Sequence, residues 1–205
     1  MKENVLSFVR GRQGHFSLES GHHGDLWFQL ETLCLHSREI RPFAARLAAQ
    51  LGKHQVEVVC GPLVEGAFVA LLVSLELGCD FVYAERFADT RRKGLFPVEY
   101  RLPKTLQPIL KSKRVAIVND VINAGSAVRG TFSDLQDIGV DVVAIGALLA
   151  LGDAIGEFAA EHNVGLELLE RMPNNLWTPS NVRSVLRACR WKSPARRKDC
   201  GNLIL

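Results

Sequence analysis

Runs of β-type apolar residues alternate with helix-like stretches along most of the chain. Val56–Cys60 (VEVVC) predicts a strand, and Gly61-Pro62 punctuates it before a helix near Gly66–Leu77. Phe81–Ala84 (FVYA) predicts a second strand and Arg114–Val118 a third, followed by a helix from about Ser126 to Ile138 that stops at Gly139. Val140–Leu149 supplies a fourth strand and Ile155–His162 a further helix. Short strands joined by helical crossovers predict an α/β fold with a doubly wound, mostly parallel sheet. Two segments break the rhythm. Gly14–Leu30, rich in Gly, His and aromatics, forms a small N-terminal hood block. Arg86–Lys113 is a long connection carrying Pro97, Pro103 and Pro108, and connections of that length in compact domains are usually functional or mobile.

The 205 residues fit one domain with a well-buried core, and 47% hydrophobic with 23% charged residues are ordinary globular values. The longest apolar runs, Ala67–Leu75 and Val142–Leu151, are too short for a membrane span and read as buried helix and strand. The N-terminus lacks the layout of a secretory signal, so a cytoplasmic protein is expected. Five cysteines without a CxxC pair support neither a disulfide framework nor a zinc site; Cys60 and Cys79 read as small core residues.

The net charge of +3 is unevenly placed. Of 25 Lys and Arg, seven lie from Arg183 onward, against one of the 22 acids, which leaves 18 basic and 21 acidic residues in the body. A nucleic-acid surface normally spreads its basic residues over the folded body, so nucleic acid is not the expected partner. The division expected is a domain over 1–181 and a basic tail over 182–205, disordered and outside catalysis. Two origins for the tail stay open: a shift of reading frame near Val182, or a genuine extension for nucleic acid or an acidic partner.

The chemistry concentrates in RVAIVNDVINAGSAVRG, Arg114–Gly130. Ligands of open parallel sheets collect at the carboxyl ends of strands, where Asn119-Asp120 is placed. Ala124-Gly125-Ser126 then brings nearly bare backbone to a helix N-terminus, which suits a phosphate, and Ser126 can add its hydroxyl or cap the helix. A phosphate cradle beside a carboxylate fits a phosphorylated sugar, with Asp120 accepting from ribose hydroxyls. The same residues could simply turn and cap the chain.

The order of residues is more specific. VAIVNDVINAGSAV resembles the signature of the type I phosphoribosyltransferases, and Val118–Ala127 is similar to the orotate phosphoribosyltransferase motif VDDVITAGTA. GHFSLESGHHGDLWF (Gly14–Phe28) resembles that family's block GEFTLKSGRKSPYFF, and GPLVEG (Gly61–Gly66) its pyrophosphate loop GPAYKG. The resemblance spans about residues 6–172. It implies a transferase that uses 5-phosphoribosyl diphosphate and Mg²⁺ to ribosylate a nitrogenous base, and a homodimer. By resemblance Asn119, Asp120, Val121, Ile122, Asn123, Ala124, Gly125, Ser126 and Ala127 hold the phosphoribosyl group, joined by Val64, Glu65 and His23. Asp120, Arg86 and Lys93 are the implied catalytic residues, and Trp27, Phe28 and Asp153 the base contacts. No direct metal ligand is implied; Mg²⁺ would arrive on the diphosphate, with Asp120 as a possible contact.

The departures cluster at the substrate. Asn119 replaces the first acid of the pair, Glu65 a loop lysine, and His23 a lysine of the N-terminal block. The region ERFADTRRKGLFPVEYRLP lacks the family's His-Gly, leaving Arg91-Arg92-Lys93 as either a solvated loop or a substitute diphosphate clamp. Asp153 stands where an arginine would meet orotate's carboxylate, so a base other than orotate is expected. The alternative is a non-catalytic regulator that keeps the fold and senses a phosphoribosyl ligand. His15, His22 and His23 are poor joint metal ligands, because neighbours in a strand point to opposite faces.

Overall fold

The computed structural model describes residues 4–7, 9–88 and 94–181. Arg91, Arg92, Lys93 and the segment from 182 onward lie outside the described residues. A six-stranded sheet occupies the centre, in the order β5-β4-β3-β6-β7-β8. Its strands are β3 (Val58–Pro62), β4 (Asp80–Ala88), β5 (Val98–Arg101), β6 (Arg114–Ile122), β7 (Asp141–Leu151) and β8 (Gly165–Met172). All neighbours run parallel except β5, which pairs antiparallel with β4 at the edge. Continuous apolar runs such as those of β3 and β7 are what a parallel sheet covered on both faces requires, and β3 is buried throughout.

Two cores flank the sheet. On one face α1 (Ser37–Leu51) and α2 (Glu65–Leu77) pack over Ala116, Val118 and Leu148. On the other, α3 (Ser126–Asp137) and α4 (Ala154–Glu161) pack over Ile117, Ile122 and Ile145. The architecture is the doubly wound α/β sheet that the alternation predicts. The sequence reading left α1 out, although Ile40, Phe43, Ala44, Leu47, Ala48 and Leu51 are buried along one helical stripe. Full burial of Phe43, Leu47 or Leu51 stabilises by about 1.5–3 kcal/mol each.

Strand ends differ from expectation in an informative way. β3 runs through Gly61 and Pro62, because their positions pair with Tyr83 and Ala84 of β4. β6 likewise continues to Ile122, alongside Ala150 of β7. Both extensions carry the chain toward the rim where the loops of interest lie. Cys60 is fully buried as expected, whereas Cys79 is only partly so.

The hood block is a separate three-stranded antiparallel sheet, β1 (Arg10–Ser17), β2 (His23–Gln29) and β9 (Leu176–Trp177), in the order β1-β2-β9. It is fastened to the main body by Phe96 N–H donating to the Ser20 carbonyl at 2.8 Å and by the Asn175 side-chain amide donating to Asp25 at 2.7 Å. Among the described residues no helix is long and apolar enough to cross a membrane.

Candidate active site

In the strand order, β3 is followed outward by β4 and β6 outward by β7, so winding reverses between the adjacent strands β3 and β6. Ligands of open α/β sheets bind at such a switch point, beyond the carboxyl ends of the strands. A cavity of about 910 Å³ opens there, large enough for a nucleotide-sized ligand. The loop after β3 contributes Leu63, Val64 and Glu65, and the loop after β6 contributes Asn123 to Ala127. The hood covers it with Trp27, Phe28 and the turn Leu18–Gly21.

Glycine makes both loops possible. Gly125 has φ +83 and is the N-cap of α3, a backbone conformation that side chains disfavour. Its carbonyl accepts the Arg129 N–H at 2.8 Å, and Ser126 and Ala127, the first residues of α3, line the cavity. Ser126 does not cap the helix. Its hydroxyl oxygen is buried and has no hydrogen-bond partner. Gly66 is required by close approach, since a Cβ there would lie 2.0 Å from Asn119 Oδ1.

The Asn119-Asp120 pair is divided by strand geometry. Successive residues of β6 face opposite sides of the sheet, so the two side chains occupy different environments. Asn119 lines the cavity and donates from Nδ2 to the Val121 carbonyl at 3.1 Å. Asp120 is 4% exposed and lies behind the cavity wall rather than on it. Its Oδ2 is buried with no partner. Burial, and secondarily the charge of Glu65, push this carboxyl up to about 7, against the pull of the Val121 N–H. Of the pair, Asn119 is therefore the member on the cavity wall. Nearby Cys34 is raised to about 11 by burial and then by Asp120 and Glu65.

Other expected site residues sort cleanly. Val64, Glu65, Trp27, Phe28, Arg86, Val121 and Ile122 all line the cavity. His23 does not; its Nδ1 shares a 2.9 Å hydrogen bond with His15 Nε2, and the rings stack with centroids 4.8 Å apart. Burial first, then the neighbouring His15 and His22, hold its pKa below the usual histidine value. Asp153 also stands outside the cavity lining. It is 77% exposed at the start of α4 and accepts from Arg171 at 2.9 Å, which satisfies it on the surface. Lys93 lies outside the described residues. Among those residues, no group of three or more His, Cys, Asp and Glu is gathered to hold a metal ion.

Three residues were not anticipated. Glu19 accepts from Arg86 Nε at 2.7 Å and from the Tyr100 hydroxyl at 2.9 Å, and all three line the cavity. Arg129 lies against the phosphate-loop glycine, with its guanidinium 4.3 Å from the Phe158 ring centroid and its Nε unpartnered. A signal for Glu19 existed: laid residue on residue, FSLESG and FTLKSG put it opposite a lysine. The described lining then holds Glu19, Glu31 and Glu65 as carboxylates against Arg86 as its single Lys or Arg.

Comparison with known proteins agrees with this geometry. No family model matches the chain. The orotate phosphoribosyltransferase of Caldanaerobacter subterraneus subsp. tengcongensis is 26% identical over 163 residues, covering 77% of this chain and 80% of that one. Among solved structures, adenine phosphoribosyltransferase from Thermoanaerobacter pseudethanolicus superposes with a TM-score of 0.63 at 16% identity, over 82% of this chain and 98% of the other. Orotate phosphoribosyltransferase from Aeropyrum pernix gives 0.58 at 20% identity, over 81% and 89%. The fold is thus that of the type I phosphoribosyltransferases, and in sequence the chain is similar to the orotate phosphoribosyltransferases.

Proposed function

We propose that this cavity transfers a phosphoribosyl group from 5-phosphoribosyl diphosphate to a ring nitrogen of a base other than orotate. The observation that carries the reading is the Ala124–Ala127 loop at the N-terminus of α3. It lines the cavity, with a glycine at positive φ and a serine whose hydroxyl has no hydrogen-bond partner in the chain. Backbone donors and the helix dipole there favour the 5′-phosphate. The loop ending in Glu65 at the start of α2 also lines the cavity, and the diphosphate would lie beside it.

The chain's own residues then divide the work. Asn119 holds the ribose from the cavity wall. Asp120 behind it supplies negative charge as positive charge builds at C1 and the diphosphate leaves. Trp27 and Phe28 offer faces on which a flat base can stack. Glu65 is the carboxylate on the cavity wall beside which a hard cation carried by the diphosphate would sit, and Mg²⁺, when bound, would offset the charge of the diphosphate. The setting is the cytoplasm, where thiols such as Cys60 stay reduced.

Calorimetric titration with 5-phosphoribosyl diphosphate and Mg²⁺ tests the reading. Micromolar binding is expected, weakened about tenfold by Ser126→Ala, since a hydrogen bond to a charged group is lost. Absence of binding at millimolar ligand would sink it. Release of diphosphate in the presence of a base then measures turnover.

The working form is a homodimer. Val64, Phe68, Leu71 and Leu75 recur at helical spacing from the cavity edge along α2, exposed by 54%, 47%, 42% and 68%. A second copy covering this stripe would continue the cavity wall formed by Val64. Light scattering on the purified chain is expected to give a dimer, and Leu71→Asp a monomer. A wild-type monomer at high micromolar concentration would overturn the assembly.

A further inference from the structure

We propose that Glu19 is a specificity-determining residue, and that it selects a base bearing an exocyclic amino group or a protonated ring nitrogen over one edged by carbonyl or carboxylate oxygens. The inference rests on the phosphoribosyl-transfer reading and names the class of base. Glu19 sits in the hood turn between β1 and β2, lining the same cavity as the aromatic residues Trp27 and Phe28. Stacking is tolerant of ring identity, so discrimination must come from polar groups at the ring edge.

The carboxylate is a preorganised acceptor. One oxygen receives Arg86 Nε and the other the Tyr100 hydroxyl, at 2.7 and 2.9 Å. Each carboxylate oxygen still has a second lone-pair site, so N–H donors from a ligand can be accepted without breaking either bond. Tyr100 is 5% exposed, and burial followed by the charge of Glu19 raises its phenol, so it stays protonated and keeps donating. The same clasp occupies Arg86. That is the single Lys or Arg among the described lining residues, and its charge is matched at Nε by Glu19. An anionic ring would thus meet the carboxylates Glu19, Glu31 and Glu65 with the one guanidinium of the described lining already engaged. A ring with an amino group or a protonated nitrogen meets an acceptor held in place for it.

Equilibrium binding of 5′-monophosphates separates the possibilities. The probes are AMP and CMP, whose bases carry amino groups, UMP and orotidine 5′-monophosphate, whose bases do not, and ribose 5-phosphate as the base-free control. The wild-type chain is expected to bind AMP or CMP at least about tenfold more tightly than orotidine 5′-monophosphate. Glu19→Gln should shrink that ratio to within about threefold, and Glu19→Lys should invert it. Tyr100→Phe, which removes one support but leaves the carboxylate, should keep the order of preference. Orotidine 5′-monophosphate binding as tightly as AMP and CMP, with ribose 5-phosphate also bound, would overturn the role of Glu19 alone. Failure of ribose 5-phosphate to bind would overturn the transfer reading and this inference with it.

Discussion

Raising the pH from about 4 to 8 is expected to withdraw roughly 4 kcal/mol of folding stability through the single residue Asp120, and Asp120→Asn is expected to remove that slope. The carboxyl is pushed up to about 7 in the fold, first by burial and then by Glu65, whereas in the unfolded chain it titrates near the model value of 3.8. Between these values the folded state holds a proton that the unfolded state has released. The contribution is complete below the unfolded pKa and is lost as pH rises through the folded one. Above about 7 the charge is buried with no partner on Oδ2, and the penalty stays constant. Asp134, also raised, acts in the same sense in both proteins, so the difference between wild type and variant isolates Asp120. Urea unfolding at a series of pH values measures it. Parallel wild-type and variant curves would mean that Asp120 is compensated in solution.

Gly61→Ala is expected to destabilise the fold by about 3 kcal/mol or more, at the upper end of the overpacking range. A Cβ at this position would lie 2.5 Å from Ala70 Cβ and 2.6 Å from Ala67 Cα. Both belong to α2, and Ala67 would be struck at its backbone, so no flexible side-chain end can swing aside. Relief requires lifting α2 off β3, and both elements are buried at the contact. Because α2 also begins the Glu65 loop, the surviving folded fraction should bind 5-phosphoribosyl diphosphate more weakly. A lowered urea midpoint with unchanged slope is the expected signature. An unchanged midpoint would show that the β3–α2 contact has slack that the packing does not reveal.

The motif after β6 was legible because its physics is local. An apolar strand, a glycine that must take positive φ, and small residues opening a helix lie within a few positions of one another, so spacing alone specifies the turn into α3. The same holds for the β3 loop, where Gly61 and Gly66 bracket the turn into α2. Elements whose pattern was weaker escaped. β5 has four residues, too few to show alternation, and was hidden in the long connection after Arg86. β8 carries Glu167 and Glu170, which interrupt its apolar run; Glu167 is satisfied by Lys53 and His54, and Glu170 by the Val5 N–H, partners remote in the chain.

The amino-acid sequence by itself determined the alternation of strand and helix, the winding of the sheet and the position of the glycine loop that opens α3, since each depends on periodicity or on backbone freedom over a few residues. Tertiary structure decided which side chains meet in the cavity. Asn119 and Asp120 are adjacent in sequence, yet the pleat sends one to the cavity wall and buries the other unpaired behind it. Glu19 is 67 residues from Arg86 and 81 from Tyr100, and only the docking of the hood on β4 and β5 brings the three together. His23 and Asp153 had the right chemistry for the cavity but found nearer partners in His15 and Arg171. A charged or polar side chain goes where its hydrogen bonds are best satisfied, and those partners are chosen by long-range packing that no local pattern records.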